Sequence, residues 1–235
     1  MKKSVNYALV FSLAILFAIY PFQSASAQAG GYIGIWGGYT ISPYAGSGDY
    51  NDDDHYNHWD YNNYDLNIDE TYVLGVKVGF VHPQLKFLAF EFEYSYLNPD
   101  IKRTTLYGYE SDFSVEGDIK LHNFMFNVIA KYPIGIVHPY VGAGIGLSYS
   151  DMSAKAAEIG DSTSAVSIGD NYSAFAWQLL TGVEIDLAKN LALDIGYHYF
   201  ATQLKFNDNM EYSYGYSRDI DFDTSIMTMG FKFLF

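Results

Sequence analysis

The chain has 235 residues, no cysteine and a formal net charge of −14 at pH 7. Without cysteine neither a disulfide framework nor a thiolate metal site can form, and so acidic a chain does not bind nucleic acid through its phosphates. Aromatic residues make up 18% of the chain, with 23 Tyr and 17 Phe, while mean hydropathy stays close to zero. Strands with lipid on one face and a polar interior on the other give that combination.

The N-terminus reads as an export signal. Lys2 and Lys3 form a positive start, Tyr7 to Phe22 is an apolar run, and Ala25-Ser26-Ala27 is a small-x-small cleavage site. The run is shorter than the ~20 residues a membrane-crossing helix needs, and Pro21 interrupts it. The expectation is a signal peptide at 1–27 and one domain at 28–235; taking 27 residues from 235 leaves 208. Losing the two lysines takes the charge from −14 to −16. After residue 27 no stretch approaches 18 apolar residues, which excludes helical spans.

Eight later segments alternate with period two. Gly31 to Ile41 sends Ile33, Ile35, Tyr39 and Ile41 toward lipid and leaves Trp36 inside, unless a bulge at Gly37-Gly38 changes that register. Tyr72 to Val81 sets Tyr72, Leu74, Val76, Val78 and Phe80 against Gly75, Lys77 and Gly79. Leu88 to Tyr96 is the clearest, with Leu88, Phe90, Phe92, Tyr94 and Tyr96 opposite Ala89, Glu91, Glu93 and Ser95. Leu121 to Tyr132 places Asn123, Met125, Asn127 and Lys131 on its inner face, and Pro139 to Tyr149 places Gly142, Gly144, Gly146 and Ser148 there. In Phe175 to Leu187 the inner face carries Gln178, Gly182, Glu184 and Asp186; in Leu191 to Phe200 it carries Asp194, Gly196 and His198. Thr224 to Phe235 alternates Met227, Met229, Phe231, Phe233 and Phe235 with Ile226, Thr228, Gly230, Lys232 and Leu234.

Connections alternate between short and long. His82 to Leu85, Pro133 to Val137 and Ala188 to Asn190 are turns; Ser42 to Thr71, Asn98 to Lys120, Asp151 to Ser173 and Ala201 to Asp223 read as long loops. Short periplasmic turns and long external loops are the outer-membrane arrangement, so the fold expected is an all-β, eight-stranded antiparallel transmembrane barrel.

Several segments carry a family likeness: Pro139-Tyr140-Val141-Gly142-Ala143-Gly144-Ile145-Gly146, Phe90 to Tyr96, Gly196-Tyr197-His198-Tyr199-Phe200 and the closing Gly230-Phe231-Lys232-Phe233-Leu234-Phe235. In these the chain resembles the outer-membrane β-barrel domain family, the small eight-stranded barrels of OmpA and OmpX type within the porin-like proteins. The resemblance implies a place in the bacterial outer membrane among its lipid and lipopolysaccharide. It also implies insertion by the barrel-assembly machinery, with Phe231, Phe233 and Phe235 as the assembly signal. The peptidoglycan-binding domain that OmpA-type proteins carry after the barrel is not found, so no cell-wall anchoring is expected.

The candidate lumen network is Lys77, Glu91, Glu93, Lys131, Gln178, Glu184, Asp194, His198 and Lys232. Eight strands leave an interior just wide enough for side chains to fill, so opposite charges there are expected to pair; a gated narrow channel is the sharper alternative. The first loop holds Asp49, Asp52, Asp53, Asp54, His55, His58, Asp60, Asp65, Asp69 and Glu70 with no Lys or Arg among them. Asp49, Asn51 and Asp53 match the first ligand positions of a calcium loop. Asp54 then stands where glycine is required and Asp60 where a bidentate Glu belongs. Those four ligand candidates are weak, and a solvated loop with interleaved Tyr50, Tyr56, Trp59, Tyr61 and Tyr64 is preferred, exposed aromatics being typical recognition material.

Catalysis needs a nucleophile touching a base that an acid orients. No Ser shares the face of His198 nearby, and His122 and His138 sit near strand ends with no evident partners. The sequence therefore reads as a non-enzymatic barrel with no cofactor, acting structurally or meeting an extracellular partner through its acidic, Tyr-rich loops. A narrow passive channel is the alternative, and a lipid-modifying enzyme a third class.

Overall fold

A computed structural model describes residues 30–47, 65–66, 68–107, 112–158, 165–206 and 218–235. The expected signal peptide and most of the first loop, including Asp49, Asn51, Asp53 and Asp60, lie outside the described residues. The strands are β1 (Gly31–Ser47), β2 (Asp65–Leu66), β3 (Tyr72–Val81), β4 (Leu88–Leu97), β5 (Asp100–Tyr107), β6 (Asp112–Lys131), β7 (Val137–Glu158), β8 (Ala165–Ala188), β9 (Leu191–Phe206) and β10 (Arg218–Leu234). Antiparallel pairing runs β10-β9-β8-β7-β6-β4-β3-β1, and β1 pairs back onto β10. Eight strands thus close on themselves, while β2 adds to β1 and β5 to β6 outside the ring. Closure pairs the backbone groups within the sheet and leaves no edge, which lets a sheet sit in hydrocarbon.

The two faces are inverted relative to a soluble protein. Ile35, Leu74, Ile145 and Met229 are each more than half exposed on the outer wall, whereas Glu91, Asn127 and Lys232 are buried inside. Trp36 is also inside. Pairing of β1 with β10 continues unbroken from Tyr32↔Leu234 to Ile41↔Ser225, so Gly37-Gly38 forms no bulge. The register shift comes further out, between Ile41 and Tyr44, where Ser42 takes a left-handed φ of 53°.

Three short connections, at 82–87, 132–136 and 189–190, lie at the same end as Gly30 and Phe235. The His82 ring holds the first together, Nδ1 accepting from the N–H of Leu85 at 3.0 Å and of Gln84 at 3.3 Å. Gly135 supplies a φ of 95° in the second, where a Cβ would be strained.

At the opposite end strands continue into the expected long loops. β7 and β8 stay paired out to Ala157↔Ala165, β6 and β7 to Phe113↔Glu158, and β9 and β10 to Phe206↔Arg218. Within Asn98 to Lys120, β5 folds back on β6. Alternation failed to signal these extensions because it arises where one face meets lipid. Beyond the lipid the backbone ladder continues without needing an apolar face.

Candidate functional site: the barrel lumen

Large inward side chains are accommodated by inward glycines on the facing strand. The Trp36 indole lies over Gly75, where any Cβ would collide with it. Tyr140 reaches across Gly182 and Gly196, and its hydroxyl would lie 2.6 Å from a Cβ built at either. The glycine row of β7 does the same for Asn127 and Met125. These close approaches are why the period-two pattern carries glycine on its polar face.

The nine expected lumen residues all point inward, and eight of them are buried, Lys131 being half-buried at the mouth. Lys232 Nζ donates to Glu184 Oε2 at 3.0 Å and lies 3.1 Å from Asp194 Oδ2. Glu184 Oε1 accepts from Lys131 at 2.9 Å. Lys77 stands opposite Glu93 in register, yet its amine crosses the lumen to Asp194 Oδ2 at 2.7 Å and lies 3.9 Å from Glu91 Oε2. Tyr140 and Tyr32 complete this layer, donating to Asp194 at 2.8 Å and Glu91 at 2.9 Å. Cross-lumen contacts thus tie β3 to β9 and β8 to β10, elements that are not neighbours in the sheet.

Above the charges lies an amide layer. Asn127 Nδ2 donates to Glu91 Oε1 at 3.2 Å, and Gln178 Nε2 donates to Asn127 Oδ1 at 2.8 Å and Glu93 Oε1 at 3.3 Å. Ser148 donates to Asn123 Oδ1 at 2.6 Å, and Asn123 Nδ2 to Ser95 at 3.3 Å.

The external half of the lumen holds a large apolar cluster beside buried Thr40, Thr202 and Thr224, and the sequence reading did not expect a seal of this kind. Trp36, Val73, Leu97, Ile119, Leu121, Met125, Phe200, Phe222 and Ile226 form one buried cluster with Ile68 and Ile101. Phe200 is 2% exposed and Phe222 0%. Ile68 and Ile101 bridge over the barrel end from β5 and the stretch before β3. A second cluster, Tyr32, Val81, Ala89, Ile129, Tyr140 and Leu180, fills the other mouth. Alternation places Trp36, Met125 and Ile226 on the inner face, but it assigns Phe200 to neither face, and Phe222 lies beyond the expected strand.

Two histidines expected to lack partners have them. His138 Nδ1 meets the Tyr132 carbonyl at 2.9 Å and its Nε2 meets Asp186 Oδ2 at 3.0 Å, fastening the 132–136 turn. Asp186, expected in the lumen, is half-exposed at this rim. His122 faces outward and bonds the Tyr94 hydroxyl at 2.9 Å among Tyr96 and Tyr149. Neither histidine contacts a serine nucleophile in these bonds, because each lies on a wall or rim rather than in a cleft. Among the described residues no three His, Asp or Glu side chains cluster as metal ligands.

A family model described as outer membrane protein beta-barrel domain matches residues 9–233. The chain belongs to this family. Its place is therefore the bacterial outer membrane, where the apolar outer wall meets lipid. Among solved structures of outer-membrane β-barrels, Neisserial surface protein A is similar over 91% of this chain and 100% of its own, with a TM-score of 0.51 and 15% identity. OprG from Pseudomonas aeruginosa is similar over 88% of this chain and 96% of its own, with a TM-score of 0.53 and 14% identity. At such identities the likeness concerns the fold. An uncharacterized protein of Brucella abortus is 36% identical over 94 residues, 38% of this chain. The match spans 32% of that relative's length.

Proposed function

We propose that this outer-membrane β-barrel is a non-enzymatic surface protein with a sealed lumen, acting on its surroundings through its acidic, Tyr-rich external segments. The observation that carries this reading is the stack of charged, amide and apolar layers inside the barrel, above all the buried Phe200–Phe222 layer. Water and ions pass an eight-stranded barrel only if such layers part. A net charge of −14, with eight Asp or Glu between Asp49 and Glu70, favours a cationic extracellular partner. Lipid and lipopolysaccharide surround the outer wall, and Phe231, Phe233 and Phe235 serve as the signal to the barrel-assembly machinery.

Two measurements test the two halves of the proposal. In planar bilayers the purified protein is expected to give no stepwise conductance, and reproducible steps would establish the channel instead. Cells displaying the protein are expected to adhere to a polylysine-coated surface several-fold better than cells displaying a variant with Asp52, Asp53, Asp54, Asp60, Asp65 and Asp69 changed to Asn. Equal adhesion at equal surface display would retire the loop role.

A further inference from the structure

Four carboxylates and three lysines share the lumen: Glu91, Glu93, Glu184 and Asp194 against Lys77, Lys131 and Lys232. Glu91, Glu184 and Asp194 each have a lysine within 4.0 Å. Glu93 has none, although it is buried, because Lys77 reaches past it to Asp194. Its Oε1 accepts from Gln178, and its Oε2 has no hydrogen-bond partner. With every carboxylate and lysine ionised and His198 neutral, the cage carries one excess negative charge, seated on Glu93. An uncompensated buried carboxylate is costly, and a bound cation relieves that cost.

Two further polar atoms beside it are also buried and unpartnered. His198 Nδ1 lies 4.0 Å from Glu93 Oε1, the Trp36 and His198 ring centroids stand 5.3 Å apart, and Trp36 Nε1 is buried with no acceptor. The unpartnered groups on β4 and β9 thus face each other, and the indole on β1 packs against the imidazole. A separation of 4.0 Å exceeds a direct hydrogen bond but suits a single bridging water. The indole N–H is a donor with no lone pair for a metal, so it welcomes a water oxygen and repels a bare metal cation. The other titratable groups facing this spot are Lys77 on β3, Glu91 on β4, Asp194 on β9, Lys232 on β10 and Tyr32 on β1. Further along the lumen β6 adds Lys131, β7 Tyr140 and β8 Glu184, while beside Glu93 itself β6 and β8 present the neutral Met125, Asn127 and Gln178.

We propose that Glu93 and His198 form a buried proton-binding site, holding one proton between them through a water molecule that accepts from the Trp36 indole N–H. The proton comes from solvent as the barrel closes, and its positive charge balances the cage. The unfolded chain leaves Glu93 ionised near neutral pH and His198 mostly neutral above it. The folded state therefore binds more protons there, and stability falls as pH rises through the range in which the site empties.

The test is urea unfolding of the protein in detergent micelles between about pH 7 and about pH 9, above the ordinary His range. The wild-type unfolding constant is expected to rise by up to about tenfold per pH unit relative to Glu93→Gln, the slope for one proton. Glu93→Gln removes the excess charge and keeps the contact with Gln178, so its profile is expected to be flatter. Parallel profiles for the two proteins would overturn the proposal. Should Glu93→Gln fail to fold, proton uptake during wild-type folding in weakly buffered micelles, followed with an indicator dye, decides instead. Net uptake near neutral pH supports the site, and none overturns it.

Discussion

Replacing Lys232 by Met is expected to destabilise the barrel by about 3 kcal/mol, the low end of the range for breaking a buried ion pair by removing one partner. Lys232 is 3% exposed, and its amine joins Glu184 at 3.0 Å to Asp194 at 3.1 Å. It also sits 5.1 Å from the Tyr32 ring centroid and 5.4 Å from that of Tyr140. Met fills much of the same volume but leaves both carboxylates short of a cation. The loss stays near the low end because Glu184 keeps Lys131 and Asp194 keeps Lys77. A second substitution, Asp194→Asn, is expected to be less damaging in the Lys232→Met background than alone, since it then removes an undercompensated charge. Urea unfolding in micelles, followed by Trp fluorescence across the double-mutant cycle, measures that coupling. Additive losses would mean that the two groups do not share one network.

What the sequence revealed and what it hid separate along a physical line. Lipid on one face imposes period two, so the parity of Glu91, Glu93, Lys77 and Lys232 was readable, and the inward set followed from it. Lipid contact also marked the span of β3 and β4, which match the alternating segments within a residue. Partner choice was not readable. Lys77 faces Glu93 across one strand pair but bonds Asp194 across the lumen, and that depends on how far the closed sheet is sheared. The apolar seal was hidden for a different reason. Phe222 lies where β10 has left the expected span, and Phe200 and Ile226 have the inward parity but the outward chemistry. Hydropathy cannot say which medium a residue meets; only closure of the barrel assigns the two sides. The Glu93–His198–Trp36 cluster was partly visible, since parity put all three inside, but its lack of partners emerges only from distances.

Arginine in place of Val76 is expected to cost about 2–4 kcal/mol, the penalty for a cation on the lipid face near the bilayer midplane. Val76 lies midway along the ten residues of β3, is 49% exposed on the outer wall, and neighbours Ile35 and Tyr94 in register. The penalty decays to about 0–1 kcal/mol at the interfaces. Tyr72→Arg at the outer end of the same strand should therefore lose little from charge, plus about 0.5–1 kcal/mol for its edge contact with Tyr39 at 5.2 Å. Both variants, unfolded by urea in lipid vesicles, give the depth profile directly. Similar small losses at the two positions would mean that β3 does not cross hydrocarbon where its pattern says it does. Residue 77 makes the contrast sharper, because a lysine is native there, one step along the chain. At 77 the cation points into the lumen and finds Asp194 at 2.7 Å, whereas at 76 it would meet acyl chains. A shift of one residue changes the face and hence the medium, so the cost of a positive charge on β3 is set by parity before it is set by depth.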